Sequence, residues 1–570
     1  MPDKSGSSRT GQESPRTVRC NNWISIATLI LHAKPGCQSP ACGGTAALHW
    51  KAIMSSPARL LACLVLAAST AILHAQVPTA EARAAHAYQA ALQQGPLALH
   101  AFLAAYPKGA DLHVHLSGAV YAESFIREAA EDGLCVDPAA LSFAKPPCMG
   151  RLVPATVLSG NITPANQDLY DRLINAFSMR SFVPTSGFSG HDQFFATFAR
   201  YGGLNKRHTG EWVDEVASRA AAQNQQYLEL MQTPAFGHAA GIAREIGWNP
   251  DLAKLRQALL DRGLRDEVES GRDDVRTSEA SRRQIEHCGT PQAAPACTVE
   301  IRYIYQVLRG NPPEQVFAQT LLGFETVTAD MNAGKADGFV GINFVQPEDG
   351  FLSMRDYTLQ MKMLDYLHSV YPKVHLSLHA GELAPGLVPP EGLRFHIRQA
   401  VELGHAQRIG HGVDVMYEDN ARELLKELAE RHVMVEINLS SNEGILGVKG
   451  NEHPFPIYRA AHVPVALSTD DEGVSRIDIT HEYVRAALDY QLGYLDLKQL
   501  ARTGMEHNFL AGESLWAAPD VFGVPVAACK GQPLGADQPS AACKSFLDGS
   551  EKAAAQWELE RRFHAFEARF

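Results

Sequence analysis

Short hydrophobic segments alternate with longer amphipathic ones from about residue 109 onward. The short segments have the length and β-branched content of strands, whereas the longer ones have the spacing of helices. This alternation predicts a parallel sheet with crossover helices, and eight such units favour a (β/α)8 TIM barrel. An open doubly wound sheet is the rival, but no GxGxxG follows the first strand. The predicted strands are 110–116, 227–232, 299–307, 338–345, 374–379, 408–410, 433–438 and 465–468.

The rest of the chain is predicted to surround this α/β barrel, which we assign to residues 109–512. An Ala- and Leu-rich helical extension, 76–108, precedes it. The first half of the barrel carries loop insertions at 136–205 and at the polar stretch 271–297. A C-terminal region, 513–570, comprises a Pro/Gly-rich loop and a final amphipathic helix.

The N-terminal residues are predicted to contain an export signal. Residues 1–53 show no sustained period, so we expect a non-structural extension there. Arg59 precedes a short apolar run, 60–73, and a small residue stands at position 75, so we predict a signal peptide over 54–75. The alternatives are a buried helix and a lipoprotein signal at Cys63. Export would make the mature protein periplasmic or secreted.

Composition narrows the class of protein. Hydrophobic residues make up 45% and charged residues 20% of the chain, as in soluble globular proteins. Because the formal charge is −12, a nucleic-acid scaffold is disfavoured. No apolar run is long enough for a stable membrane span. We therefore expect a small molecule as partner; the oligomeric state is left open.

Six cysteines follow the predicted signal and fall into three neighbouring pairs along the chain. Six cysteines allow 15 connectivities, and six free thiols are the alternative. Local pairing is the simplest arrangement, and disulfides indicate an oxidising compartment. The expected bridges are Cys135–Cys148, Cys288–Cys297 and Cys529–Cys543.

Histidines and carboxylates follow four of the predicted strands, where a barrel carries its active site. An HxH pair on a strand places both imidazoles on one face. Singly, each residue has an ordinary explanation: a lone histidine is often a satisfied polar residue, and an aspartate can cap a helix. Together they indicate a metal site, because adjacent buried carboxylates are costly without a cation. The residues are His113 and His115, His379 and Glu382, His411, and Asp470 and Asp471.

The ligand types favour zinc, with iron or manganese as alternatives. His113, His115, His379 and Asp470 would hold one ion per chain and leave room for a water. The ion would lower the pKa of that water toward 7 and so produce a nucleophile. Glu382 is placed to shuttle protons, His411 to orient the hydroxide and Asp471 to hold the substrate.

The ensemble resembles the adenosine deaminase family of metal-dependent hydrolases, over roughly residues 106–512. The blocks that carry the resemblance are PKGADLHVHLSGAV, GFVGINFVQPEDG, VHLSLHAGE, RIGHGVDV, VEINLSSN and VALSTDDEGV. The resemblance implies zinc at His113, His115, His379 and Asp470, proton donation to the purine by Glu382, water orientation by His411 and a purine hydrogen bond at Asp471. The export signal and insertions resemble the secreted, growth-factor-like branch.

Two positions depart from the family pattern. Ser117 stands where the family usually has an Asp that contacts the sugar, and Gln346 stands near a usual Gly that approaches the purine. Ser117, Gly118, Gln346 and Asp471 are the expected substrate-binding residues. The resulting expectation is an exported zinc-dependent deaminase that converts adenosine, and 2′-deoxyadenosine, to the inosine product and ammonia. The alternatives are an amidohydrolase for another amino-purine or modified adenosine, and a nucleoside-binding protein with a decayed site.

Overall fold

A computed structural model describes residues 78–160, 162–334 and 338–570. The predicted extension, 1–53, and signal peptide, 54–75, lie outside these residues. Within the described part, no helix is both long and apolar enough to cross a membrane.

Eight parallel strands form the barrel that the sequence predicts, and their ends differ from the predicted ones by at most two residues. The barrel strands are β1 (Gly109–His115), β5 (Gln225–Gln232), β6 (Glu300–Leu308), β7 (Phe339–Val345), β8 (His375–Ala380), β9 (Arg408–His411), β10 (Met434–Ile437) and β11 (Val465–Leu467). Three short strands form a separate antiparallel sheet: β2 (Cys135–Asp137), β3 (Ser142–Ala144) and β4 (Val153–Pro154). The barrel order is therefore β1-β5-β6-β7-β8-β9-β10-β11.

The barrel closes between β1 and the residues that follow β11. The Asp470 N–H donates to the His113 carbonyl at 2.8 Å, and the His115 N–H donates to the Asp470 carbonyl at 3.2 Å. Closure therefore uses the backbone of three residues predicted to hold the metal, and it fixes their relative position.

Helices surround the barrel and extend from both of its ends. In the N-terminal half they are α1 (Ala80–Gln94), α2 (Pro96–Ala104), α3 (Leu116–Ala119), α4 (Ala122–Glu131), α5 (Gln167–Ala176), α6 (Gly190–Arg200), α7 (Thr209–Ala222), α8 (Gly237–Ile246), α9 (Leu252–Asp261), α10 (Val268–Ile285) and α11 (Pro313–Ala333). In the C-terminal half they are α12 (Phe351–Val370), α13 (His396–Glu402), α14 (Ala421–Glu430), α15 (Leu439–Leu446), α16 (Phe455–Ala460), α17 (Glu472–Ser475), α18 (Ile479–Asp489), α19 (Tyr494–Glu506), α20 (Ala541–Asp548) and α21 (Glu551–Glu567).

The lower part of the barrel interior is filled by a charged and aromatic cluster. Arg408 lies between Glu229 and Glu436, with nitrogen–oxygen distances of 2.6 and 2.7 Å, and its guanidinium covers the ring of Phe509 at 3.8 Å. All three charged side chains are fully buried. Arg408 offsets one of the two negative charges, and Glu436 also contacts His113 Nδ1 at 2.6 Å, so the network is linked directly to the predicted metal site.

The terminal helices lie at the opposite end of the barrel from the predicted site. Gln226, near the start of β5, donates its side-chain amide to the Ala555 carbonyl of α21 at 2.7 Å. Tyr88 of α1 donates to the Leu492 carbonyl at 2.6 Å. These helices therefore cover the amino ends of the strands and leave the carboxyl ends open.

The insertions contain regular structure that the sequence reading did not predict. The polar stretch 271–297 was expected as a loop, but most of it belongs to α10. Its charges pair along the helix, with Arg282 lying 3.2 Å from Glu279 and 3.6 Å from Glu286. Pairs at this spacing stabilise a helix that has few apolar residues.

The three predicted disulfides are present. Cys135–Cys148 joins β2 to the loop between β3 and β4, Cys288–Cys297 closes the turn after α10, and Cys529–Cys543 ties the C-terminal loop to α20. Each bridge constrains an insertion or terminal segment rather than the barrel itself.

Candidate active site

The predicted metal ligands converge at the carboxyl ends of the barrel strands. His113 and His115 point inward from β1 because strand side chains alternate. The Nε2 atoms of both lie 3.2 Å from Nε2 of His379, at the end of β8. Oδ1 of Asp470 lies 3.2 Å from His115 Nε2 and 3.5 Å from His113 Nε2. Four donor atoms thus face one point.

These donors have the chemistry of a metal site. The Nδ1 atom of His379 donates to Asn343 Oδ1 at 2.7 Å, and that oxygen also accepts the His379 backbone N–H at 3.1 Å. His379 therefore carries its lone pair on Nε2, facing the Nε2 atoms of His113 and His115. Lone pairs on several buried imidazoles and a carboxylate suit a divalent cation, and thiolates are not needed. His113, His115, His379 and Asp470 fit such an ion.

Each ligand is held from behind by a residue that the sequence analysis did not select. Such contacts fix the orientation and basicity of ligands. The pairs are His113 Nδ1 with Glu436 Oε2 at 2.6 Å, His115 Nδ1 with the Gln306 amide, His379 with Asn343, and Asp470 Oδ2 with the Ser441 hydroxyl at 2.6 Å. For Glu436 the sequence contains an indication of such a role, because this carboxylate interrupts the otherwise apolar strand MVEI.

Glu382 is buried in the loop after β8, where its surroundings favour the acid form. Burial, followed by the negative charges of Asp470 and Glu348, raises its pKa well above the usual value. Its side chain lines the same cavity as His379 and Asp470. A protonated carboxyl at neutral pH can donate a proton to a substrate.

Glu348, on the loop after β7, shapes the turn that carries Glu382. Its two carboxylate oxygens accept the backbone N–H groups of Gly381 at 3.1 Å and Glu382 at 2.9 Å. Nδ1 of His396 lies 2.5 Å from the first of these oxygens. Although burial raises the pKa of Glu348, the hydrogen bond and charge of His396 bring it to about 2. An ionised Glu348 thus fixes the backbone below Glu382.

The tautomer of His411 is set by a chain of buried hydrogen bonds. The Phe455 backbone N–H donates to His453 Nδ1 at 3.1 Å, and His453 Nε2 donates to Asn442 Oδ1 at 2.9 Å. The Asn442 amide in turn donates to His411 Nδ1 at 2.8 Å. Because a backbone N–H can only donate, every later role in the chain is determined. His411 therefore carries its proton on Nε2, which lies 3.8 Å from Asp470 Oδ2.

Asp471 lies next to the ligands but has a different environment. It precedes α17, yet its side chain makes no capping hydrogen bond. Its Oδ1 is buried without a hydrogen-bond partner among the described residues. Burial, and then the charge of Asp470, raises its pKa well above the usual value. Such a group is suited to hydrogen-bond a ligand.

Gly118 makes room for Asp471. A Cβ atom on Gly118 would lie 1.4 Å from Asp471 Oδ1, far inside contact distance. A side chain at position 118 would therefore displace Asp471. The structure thus gives Gly118 a steric role rather than a direct contact of its own.

A cavity of about 400 Å³, which we call the catalytic cavity, is lined by three of the ligands together with Glu382 and Asp471; these ligands are His115, His379 and Asp470. Ser117 and Gln346 also line it, as expected for substrate-binding residues. Gln346 has a φ of 86°, and its side-chain oxygen accepts the Gly310 N–H at 2.8 Å. The amide oxygen of Gln346 is thus directed at the backbone beside the cavity.

An aromatic wall faces the metal ligands and was missed by the sequence analysis. Phe194, Phe195 and Phe198 of α6 line the catalytic cavity. His191 at the start of α6 lies 2.9 Å from Asp349, on the loop after β7. The wall belongs to the 136–205 insertion. The rule that active-site residues follow the barrel strands does not apply there, so the sequence pattern does not point to these residues. An apolar wall opposite polar groups is suited to a flat aromatic ring.

The chain is similar in sequence to known proteins over part of its length. A model of the family described as "Adenosine deaminase" matches residues 282–515. This range includes Glu382, His411 and Asp470, whereas His113 and His115 precede it.

Two curated relatives match shorter segments. The adenosine deaminase of Clostridium perfringens strain SM101 is 28% identical over 196 residues, 34% of this chain and 50% of that protein. That of Clostridium acetobutylicum is 30% identical over 141 residues, 25% of this chain and 39% of that protein. The chain therefore spans half or less of the length of these relatives.

Solved structures are similar at lower identity. Adenine deaminase from Arthrobacter aurescens is 16% identical, with a TM-score of 0.46, covering 71% of this chain and 94% of that one. The Arabidopsis N6-mAMP deaminase is 19% identical, with a TM-score of 0.44, covering 72% and 96%. At these values the two structures carry no inference about substrate.

Proposed function

The chain belongs to the adenosine deaminase family, and on that premise we propose that it is a metal-dependent hydrolytic deaminase of purine nucleosides. The observation that carries the proposal is the meeting of His113, His115, His379 and Asp470 beside the buried carboxyl of Glu382. Acidic proton donors next to a cation site are what hydrolysis of an amino-substituted ring requires.

We propose zinc as the ion, adenosine and 2′-deoxyadenosine as substrates, and export as the location. Three imidazoles and one carboxylate suit zinc. Family membership supports adenosine. Three disulfides support an oxidising compartment, periplasmic or extracellular.

The side chains have distinct tasks in this reaction. A divalent ion bound by the four donors would lower the pKa of a water and so supply the nucleophile. His411 presents Nε2–H and donates a hydrogen bond to the attacking oxygen. Glu382 donates its proton to the ring nitrogen beside the attacked carbon. Asp471, whose Oδ1 has no hydrogen-bond partner among the described residues, binds the purine edge.

The overall reaction balances as addition of water followed by loss of ammonia. The oxygen of water forms a bond to the ring carbon that carries the amino group, and the carbon–nitrogen bond breaks. The amino group takes up one proton of the water and leaves as ammonia, while the ring nitrogen keeps the proton that Glu382 donated, so adenosine becomes inosine. The second proton of the water restores the carboxyl of Glu382.

A deaminase of another amino-purine or a modified adenosine is the second candidate. It is favoured by Ser117 and Gln346, which line the catalytic cavity where the family pattern has Asp and Gly. A binding protein with a decayed site is disfavoured, because the four ligands and Glu382 are all present and converge.

The test is ammonia release and the absorbance change from adenosine to inosine with purified, metal-loaded protein. Glu382→Gln is the matched control, since it keeps the shape of the side chain but replaces the acidic carboxyl with an amide that cannot act as a proton donor at neutral pH. We expect kcat to fall at least about 100-fold, because general acid–base catalysis contributes roughly 10²–10⁴. The proposal is contradicted if the metal-loaded wild-type protein deaminates no purine nucleoside.

A further inference from the structure

A second cavity, also of about 400 Å³, lies directly beside the catalytic cavity. We call it the side cavity. Ser117, Thr233 and Gln306 line both cavities. A ligand whose reacting ring lies beside Glu382 can therefore extend past these three residues into the side cavity.

The outer wall of the side cavity comes from the insertions rather than from the barrel. Thr277 of α10, and residues of the segment that leads into α7, line it. The two helices pack tightly, because a Cβ atom on Gly210 of α7 would lie 2.4 Å from the Ser281 side chain of α10. The cavity is thus a built feature between two packed helices.

The charged groups that line the side cavity are already paired. Nζ of Lys206 lies 2.7 Å from Asp274, and Arg207 lies 2.9 Å from Asp132. Asp273 forms an ion pair with Arg276 on the next turn of α10. An anion such as a phosphate would have to compete with these carboxylates. The pairing favours an uncharged occupant.

The remaining lining is partly apolar and carries hydroxyl groups. Leu116, Leu204 and the indole of Trp212 supply apolar surface, and Thr277 and Ser278 of α10 add side-chain hydroxyls. A hydroxyl group can donate and accept, so it can pair with a hydroxyl of a ligand. An apolar stem ending in a hydroxyl would match both features.

Resting on the proposed function, we propose that the side cavity binds an uncharged, hydroxyl-bearing substituent on the sugar of a purine nucleoside. The catalytic cavity alone is within the size range of small-molecule sites, so the side cavity is additional room. Thr233 donates to Gln306 Oε1 at 2.8 Å, and Gln306 contacts the ligand His115. An occupant would therefore touch residues that orient the metal site.

The experiment compares kcat/KM for adenosine, for 5′- and 3′-hydroxyalkyl-substituted adenosines, and for AMP. Thr277→Trp is designed to fill the mouth of the side cavity. Thr277 is exposed, so the larger side chain should not disturb the packing of the core. Ala280→Trp, on an exposed position of the same helix that does not line the cavity, is the matched control. The readout is the ratio of kcat/KM for the substituted nucleoside to that for adenosine.

We expect at least one hydroxyalkyl nucleoside to match or exceed adenosine, and Thr277→Trp to lower its ratio at least about tenfold, the scale of pocket contacts. Ala280→Trp should leave the ratio unchanged. The subsite is overturned if adenosine is turned over while every substituted nucleoside is rejected, if both Trp variants behave alike, or if AMP is preferred over all neutral substrates. Failure to turn over any purine would instead contradict the proposed function.

Discussion

Breaking the hydrogen-bond chain behind His411 should lower kcat without removing the metal. In His453→Leu, Asn442 loses the donor to its Oδ1, which is then buried and unpaired. Such an atom costs about 1–3 kcal/mol. Turning the amide over only moves the unpaired position from its oxygen to its nitrogen, so the orientation of Asn442 is no longer fixed. In the turned orientation the oxygen of Asn442 would face His411 Nδ1 and draw the proton there. His411 would lose the Nε2–H that it presents to the attacking oxygen.

The expected loss in kcat is at least about twofold, the value for two equally populated orientations, and at most about 150-fold, which is 3 kcal/mol expressed as a rate ratio. Asn438 also faces His411 Nδ1, but at 3.4 Å it is too far to hold the tautomer alone. KM should change little, because His411 acts on water rather than on the purine.

The matched control is His453→Gln, which can still donate an N–H to Asn442. Both variants lose the acceptor for the Phe455 N–H, so their difference isolates the donor. Steady-state kinetics with equal metal content, and nitrogen-15 NMR of the His411 ring, would measure the effect. The reasoning is refuted if His453→Leu keeps wild-type kcat, or if His453→Gln is as slow as His453→Leu.

Three further changes have defined outcomes. His379→Ala should remove most of the metal from freshly purified protein, and elemental analysis showing an unchanged content would contradict the ligand assignment. Gly118→Ala should keep the metal but lower kcat/KM for adenosine at least about tenfold, since Asp471 must move; an unaltered value would mean that Asp471 does not bind substrate. Glu348→Gln should destabilise the fold by about 3 kcal/mol near pH 7, because the pKa of Glu348 is lowered from 4.5 to about 2. A carboxyl whose pKa is lowered by folding stabilises the fold at pH values above its pKa in the unfolded chain. The difference in unfolding free energy between wild type and variant, measured with urea, should therefore shrink as the pH falls from about 4.5 toward 2. A difference that grew on acidification would contradict the assignment.

The sequence predicts the barrel and its strand-end chemistry well because both depend on local rules. Period-two alternation places His113 and His115 on one face, and the parallel topology brings the ends of β8, β9 and β11 to the same mouth. The topology of the barrel is therefore enough to predict that His379, His411 and Asp470 lie close to His113.

The supporting residues escape the same reasoning because their partners lie far away in sequence. Glu436 contacts His113 across 323 positions, and Gln306 contacts His115 across 191. In the local pattern, only their position within an apolar strand distinguishes these side chains from ordinary polar residues. That position does not identify the partner.

The substrate is harder to predict than the reaction for a related physical reason. The reacting groups stand on strands whose register is fixed by the closed barrel. The groups that limit the substrate, such as the Phe194 wall and Thr277, stand on insertions. A loop position was expected for α10, yet its paired charges form a helix that creates a cavity. The position of each insertion against the barrel determines which substituents of a substrate fit into the cavities. That position depends on the complementary shapes of the packed side chains, which the hydrophobic periodicity of the sequence does not specify.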